Sequence, residues 1–270
     1  MKIENKSQVR SVAFCSDPHY LTILKRYKGK NYIKQFKLDY DKAEHIRLKT
    51  EIPHNPIAVA RYPLTGDRSF AAVDEHGMLS VSLYLKFKTQ QSMYTEKSVK
   101  VFDEPAQSLA FSPDKKYVAV ASESGQLKIC KFFYERQKVY LKDVCNLEYQ
   151  ESISGLSFGP DGKLALATKG IIGVYELDCS NKDIGLVTSK SSSVGADVSF
   201  SPDGRYLVNA ELNGCLRIFE FGENRRFNKW LWRGQLPSTL NGVDFSPDNK
   251  HLAVACGNDV YVYELKNGKQ

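Results

Sequence analysis

Long apolar runs are absent from this sequence, methionine is scarce, and the cysteines never cluster. No segment approaches the roughly 18 consecutive apolar residues of a membrane-spanning helix, so none is expected. The opening residues MKIENKSQVR are polar and lack the apolar stretch of a secretory signal. Cys15, Cys130, Cys145, Cys179, Cys215 and Cys256 are scattered without a C-x-x-C pair, which speaks against a disulfide framework or a zinc site. Cys130, Cys215 and Cys256 fall inside apolar strand patterns, and reduced, mostly buried thiols in a cytoplasmic protein are the expectation. Also missing is any apolar stripe at helical spacing long enough to form a helix.

What the chain does have is aromatic residues and an internal repeat. Tyr (15) and Phe (14) are plentiful, and aromatic rings suit a pleated, half-buried surface. Four copies of one pattern begin at Ser108 (SLAFSPDKKYVAVASESGQLKICKF), Gly155 (GLSFGPDGKLALATKGIIGVYEL), Asp197 (DVSFSPDGRYLVNAELNGCLRIFEF) and Gly242 (GVDFSPDNKHLAVACGNDVYVYEL). Two weaker copies start at Ser11 and Ala58. Their shared aromatic falls at Phe14, Tyr62, Phe111, Phe158, Phe200 and Phe245, at intervals of 48, 49, 47, 42 and 45 residues. A period in this range belongs to stacked supersecondary units that cannot bury their apolar faces alone.

Each copy reads as strands. A short apolar run ends at Phe-Ser-Pro-Asp, a turn signal. A strongly apolar strand follows, then a tight turn carrying Gly77, Gly125 or Gly214, with Asn258 in the last copy. In the third strand Leu127 and Ile129, Leu216 and Ile218, and Val260 and Val262 share a face. Charged stretches between copies, such as HIRLKTE and KDVCNLEY, would form the outer strand. The expected fold is all-β, one β-propeller domain over residues 1–270 with four-stranded blades. Repeats fall near 8–50, 55–100, 105–150, 152–190, 194–236 and 239–270. The last copy lacks an outer strand, which residues 2–8 could supply. Six blades are favoured, with seven if a partner donates one.

The F-S-P-D-G-x-x-L pattern followed by x-G-x-L-x-I resembles the WD-repeat superfamily over essentially the whole chain. No copy carries the Gly-His pair before its first strand or ends in Trp-Asp, so the buried His–Ser–Trp–Asp network of that family is expected to be missing. Blade packing would then rest on apolar contacts. Residues 99–177 are also similar to the central blades of the small-GTPase exchange factors that start vesicle coat assembly at the endoplasmic reticulum. That resemblance implies a GTPase partner engaged by a glycine-rich, potassium-binding loop in the first blade. The matching stretch here is LKRYKGKNYIKQF, with Gly29 and Asn31 but no glycine run. Six-bladed propellers of coats and nuclear pores accept a strand or blade from a partner, for which a missing outer strand would be suited.

The formal charge of +7 lies wholly in residues 1–50, which hold 12 Lys/Arg and 5 Asp/Glu. Lys25, Arg26, Lys28, Lys30, Lys34 and Lys37 surround the hairpin tip of the first repeat, and Lys25–Lys30 has no acid nearby. Such a cluster attracts acidic protein, anionic lipid or, as a lesser candidate, nucleic acid. Lys-rich edges also simply discourage sheet-to-sheet association. A second candidate is FGENRRFNKWLWRG, with Arg225, Arg226, Lys229, Trp230, Trp232 and Arg233, because Trp and Arg are enriched at interface hot spots. Arg225-Arg226 invites comparison with the Phe-Arg-Arg-Gly motif of phosphoinositide-binding propellers, although here the order is Asn-Arg-Arg-Phe. The two segments belong to the first and fifth repeats, so on a six-blade ring they could form one basic arc. His19, His45, His54, His76 and His251 make no ligand spacing, and His251 is expected as a partly exposed blade residue. No enzyme signature, cofactor motif or metal site is found. The reading is a non-catalytic interaction scaffold, cytoplasmic or peripheral at an endomembrane; GTPase exchange and phosphoinositide binding are the alternatives.

Overall fold

The computed structural model describes residues 1–39, 42–46, 55–61, 69–86, 92–114, 116–135, 138–149, 151–178, 181, 183–221 and 227–265. Its elements are all strands, arranged as six four-stranded antiparallel sheets. After β1 (Lys2–Ile3), blade 1 is β2 (Val9–Phe14), β3 (Tyr20–Tyr27), β4 (Lys30–Asp39) and β5 (Lys42–Ile46). Blade 2 is β6 (Pro56–Arg61), β7 (Phe70–Asp74), β8 (Met78–Lys86) and β9 (Ser92–Lys100). Blade 3 is β10 (Ala106–Phe111), β11 (Tyr117–Ser122), β12 (Gln126–Glu135) and β13 (Lys138–Glu148). Blade 4 is β14 (Gly155–Phe158), β15 (Leu164–Ala167), β16 (Ile171–Asp178) and β17 (Asp183–Ser191). Blade 5 is β18 (Gly195–Phe200), β19 (Tyr206–Glu211), β20 (Cys215–Phe221) and β21 (Phe227–Gln235). Blade 6 is β22 (Leu240–Phe245), β23 (His251–Cys256) and β24 (Asp259–Glu264), with β1 as its outer strand.

The Ser-Pro-Asp turns are a repeated hydrogen-bond device. Ser112 Oγ donates to Asp114 Oδ1 (2.6 Å) and accepts from the Tyr117 N–H (2.9 Å). Ser201 does the same with Asp203 and Tyr206, and Ser246 with Asp248 and His251. The following hairpin turns place Gly77, Gly125 and Gly214 in the left-handed region. In the last copy that residue is Gly257 (φ 58°) rather than Asn258, because Cys256 pairs directly with Asp259 and leaves a two-residue loop. His251 is buried rather than partly exposed, and burial holds its pKa below the ordinary value. KDVCNLE lies in the outer strand β13; of HIRLKTE only His45 and Ile46 are described, ending β5. Tyr62, His54 and Cys179 lie outside the described residues.

Blades meet through apolar clusters that straddle neighbouring sheets. Val118, Val120 and Phe132 of blade 3 join Ala71, Val73 and Val81 of blade 2; Leu164 and Leu166 of blade 4 join Leu127 and Ile129. Similar clusters link blades 4 and 5, 5 and 6, and 6 and 1. The inner strand of every blade packs on those of both neighbours, β22 on β2 included. The ring therefore closes at six, and a seventh blade has no place. The outer position of blade 6 is occupied by β1, with Lys2 opposite Tyr261 and Ile3 opposite Val260. Met1 extends that pairing through two bonds with Val262.

Apolar contact is not the whole of blade packing. Small polar side chains on the inner strands accept N–H bonds from the next inner strand. Ser11 Oγ takes the Val59 N–H (3.4 Å), Ser157 Oγ that of Phe200 (2.9 Å), and Asp197 Oδ2 that of Val243 (3.0 Å). Asp244 Oδ2 takes the Phe14 N–H (2.8 Å), stitching the last blade to the first. Blade 5 also contains a buried polar network that the missing family motif concealed. Glu211 Oε1 meets Arg217 Nε (3.0 Å), Ser192 Oγ (2.9 Å) and Asn209 Nδ2 (3.2 Å). Its Oε2 accepts from Ser193 (2.6 Å) and Asn213 (3.3 Å). Four hydrogen bonds and one ion pair thus surround a fully buried carboxylate.

Candidate functional site

Blade 1 departs from the others at the turn between its second and third strands. In blades 2, 3, 5 and 6 the second strand ends at the rung facing the first residue of the inner strand: Asp74, Ser122, Glu211 and Cys256. In blade 1 that rung is Lys25, opposite Val9, yet β3 runs on through Arg26 and Tyr27, paired with Asn31 and Lys30. Two further rungs project the hairpin by about 7 Å. Lys28 (φ 50°) and Gly29 (φ 81°) close it as a two-residue turn with both residues left-handed, the geometry that matches strand twist.

Strand alternation sorts the basic residues. Lys25, Tyr27, Lys30, Tyr32 and Lys34 share the face that continues Ile23, which packs toward blade 6. Arg26 and Lys37 lie on the opposite face, with Leu24 and Ile33 toward blade 2. On that side Asn31 braces the hairpin: its N–H donates to Asn55 Oδ1 (2.8 Å) and its Nδ2 to the Pro56 carbonyl (2.6 Å). Tyr27 and Tyr32 are each 45% exposed, and Lys25 and Lys28 approach the Tyr27 ring at 5.9 and 5.5 Å. Burial, and next the Lys34 ammonium, lowers the pKa of Lys25. Among the described residues none of these cations meets a carboxylate. The two tyrosines went unnoticed in the sequence, although the alternation K-x-Y, then K-x-Y-x-K, was there to be read.

The second segment is only partly placed. Arg225 and Arg226 lie outside the described residues. Lys229 and Trp230 pair with Glu220 and Phe219 on β20. Trp232 is 46% exposed, its ring crossing Gly234, where a Cβ would come within 2.0 Å of it. Arg233 Nε reaches Cys215 Sγ (3.4 Å). The ends of β20 and β21 that flank residues 222–226 lie at the end of the blade opposite the turns between second and third strands. The blade-1 hairpin tip and this end of blade 5 therefore sit on opposite faces of the ring, whereas Arg233, opposite Arg217 and two rungs from the Cys215–Gln235 pair, lies toward the hairpin's face.

The stretch that matches the exchange factors' cation-binding loop is a hairpin paired rung for rung from Tyr20–Lys37 to Tyr27–Lys30. Among the described residues, no group of three His, Cys, Asp or Glu could hold a metal, and no helix is long and apolar enough to cross a membrane. Cys130, Cys215 and Cys256 are buried free thiols, and Cys15 and Cys145 are buried as well. Burial, and then Asp143, pushes Cys130 up to about 12, so it is unreactive.

A closed ring of six radial four-stranded sheets defines a β-propeller. The family model for the WD domain, G-beta repeat, matches residues 96–131 and 230–264. Together with the six-bladed ring, these matches support the WD-repeat β-propeller superfamily. Each matched span begins in the outer strand of one blade, β9 or β21, and ends in the third strand of the next. The sequence unit is thus out of phase with the blade by one strand.

Proposed function

We propose that the chain is a non-catalytic docking scaffold whose blade-1 hairpin engages an acidic surface on a partner protein in a cytoplasmic complex. The observation that carries this reading is the projecting face of Lys25, Lys30 and Lys34 interleaved with half-exposed Tyr27 and Tyr32, with Lys28 at the tip. Uncompensated like charge steers an acidic partner and raises its association rate. The rings add apolar contact area at small entropic cost, since each has few rotatable bonds. Bracing by Asn31 holds the face ready before contact is made.

Affinity capture followed by mass spectrometry, run in parallel on wild type and a Lys25→Glu/Lys30→Glu/Lys34→Glu variant, tests it. Partners should be held by the wild type at low salt, lost by the variant, and released as the Debye length shrinks to about 8 Å and below. An identical set of captured proteins from both would overturn the reading. Exchange activity is the alternative, with no support from the hairpin geometry. Accelerated nucleotide release from a coat GTPase by the purified chain would replace the scaffold reading. Co-sedimentation of the wild type with anionic but not neutral vesicles, lost in the variant, would move the ligand from protein to lipid.

A further inference from the structure

The inner strands share an irregularity at their first residues. Five of them carry a bulge, and the extra residues are Arg10, Ile57, Gln107, Ala196 and Asn241. All five line one central channel, a cavity of about 740 Å³. A bulge re-aims a side chain out of the strand's alternation. Here it does so around one mouth, on the face from which the blade-1 hairpin rises.

Of these five residues only Arg10 is charged. Its Nε is buried and has no acceptor, and the charge acting on it is the like-signed Arg26, whose strand is tied to the mouth by the bond from the Arg26 N–H to the Gln8 carbonyl (2.8 Å). Gln8, Gln107 and Lys169 line the same cavity and can donate; the Asn241 amide already gives one proton to the Val9 carbonyl. Two carboxylates line the channel, one and three residues beyond their bulge positions. Asp197 and Asp244 both accept backbone N–H bonds there. A half-buried guanidinium without a counter-charge is costly, and a planar oxyanion is the partner that its fork of donors fits. We infer that the channel mouth is an oxyanion site, centred on Arg10, that takes one phosphate or carboxylate group presented by a partner segment. This site is separate from the hairpin face and does not depend on the function proposed for it.

Isothermal titration and thermal shift on the intact chain, with inorganic phosphate and with acetate as probes, test the assignment. Wild type should bind one anion saturably and gain thermal stability from it. Arg10→Gln should weaken that binding at least tenfold, remain at least as stable as wild type without anion, and gain nothing when anion is added. Arg10→Lys keeps the charge but not the fork, and should lie between the two. Lys25→Gln/Lys34→Gln should bind within twofold of wild type. Preference for phosphate would assign a phosphorylated segment, and equal binding of acetate an acidic one. No saturable binding of either anion at tens of millimolar, or unchanged binding in Arg10→Gln, would overturn the proposal.

Discussion

At the scale of single residues, two buried carboxylates make opposite demands. Glu211 is fully enclosed but answered on every side, so removing it strands Arg217, Asn209 and two serines. Glu211→Ala should lower the unfolding free energy by about 3–5 kcal/mol, the usual cost of breaking a buried pair, and a urea midpoint will read it. Asp197 has backbone donors but no cation, and burial pushes its carboxyl up to about 7 despite the Val243 and Val198 N–H groups. A raised folded value means a contribution that is full below about pH 4 and lost as pH rises through about 7. His251, depressed by burial, works in the other direction, so only a comparison isolates Asp197. The melting temperature of Asp197→Asn relative to wild type should be more favourable at pH 8 than at pH 5; parallel profiles would refute this. Neither role was legible in the sequence. The Ser-Pro-Asp turns were, because their bonds close within five residues. Glu211 and Asp197 also need partners 18 to 46 positions away, Ser192, Ser193 and Val243, where local pattern carries no signal.

At the scale of the element, the blade-1 hairpin was half legible. Its turn followed from Lys28-Gly29 between alternating strands, and its charge from simple counting. How far it projects did not, because that depends on where β3 stops pairing with β2, a long-range register. The split of five of the cations between two faces, with Lys28 at the tip, needed the same register. Asn31 links the hairpin to blade 2 by two bonds, each contributing about 0.5–1.5 kcal/mol. Asn31→Ala removes the Nδ2 bond and keeps the backbone one; it should leave the hairpin paired but raise amide hydrogen exchange across Tyr27–Tyr32 by up to roughly tenfold, with little change in global stability. Unchanged exchange there would show that the side-chain bond to the Pro56 carbonyl is idle.

At the scale of the whole molecule, six copies of one aromatic position were enough to anticipate six blades, while ring closure is a property of the ends. Ile3 is buried against Val260 and Val262 of blade 6, and Lys2 pairs with Asp259 at 3.0 Å. Ile3→Ala should cost about 2 kcal/mol, the lower end for a buried Ile, and hydrogen exchange should rise first along β24. Uniform loss across all blades would mean that the ring unfolds as one unit. The bond from the Met1 amine to the Val262 carbonyl joins residues 261 positions apart. On the ribosome, Val12, Phe14 and Ile23 therefore emerge long before Ala253 and Val262 exist to cover them. At about 5–20 residues per second, the intervening chain takes roughly 10–45 s to appear. For that time the nascent chain carries a blade with one naked apolar flank, which makes it a client for chaperones until its final strand leaves the exit tunnel.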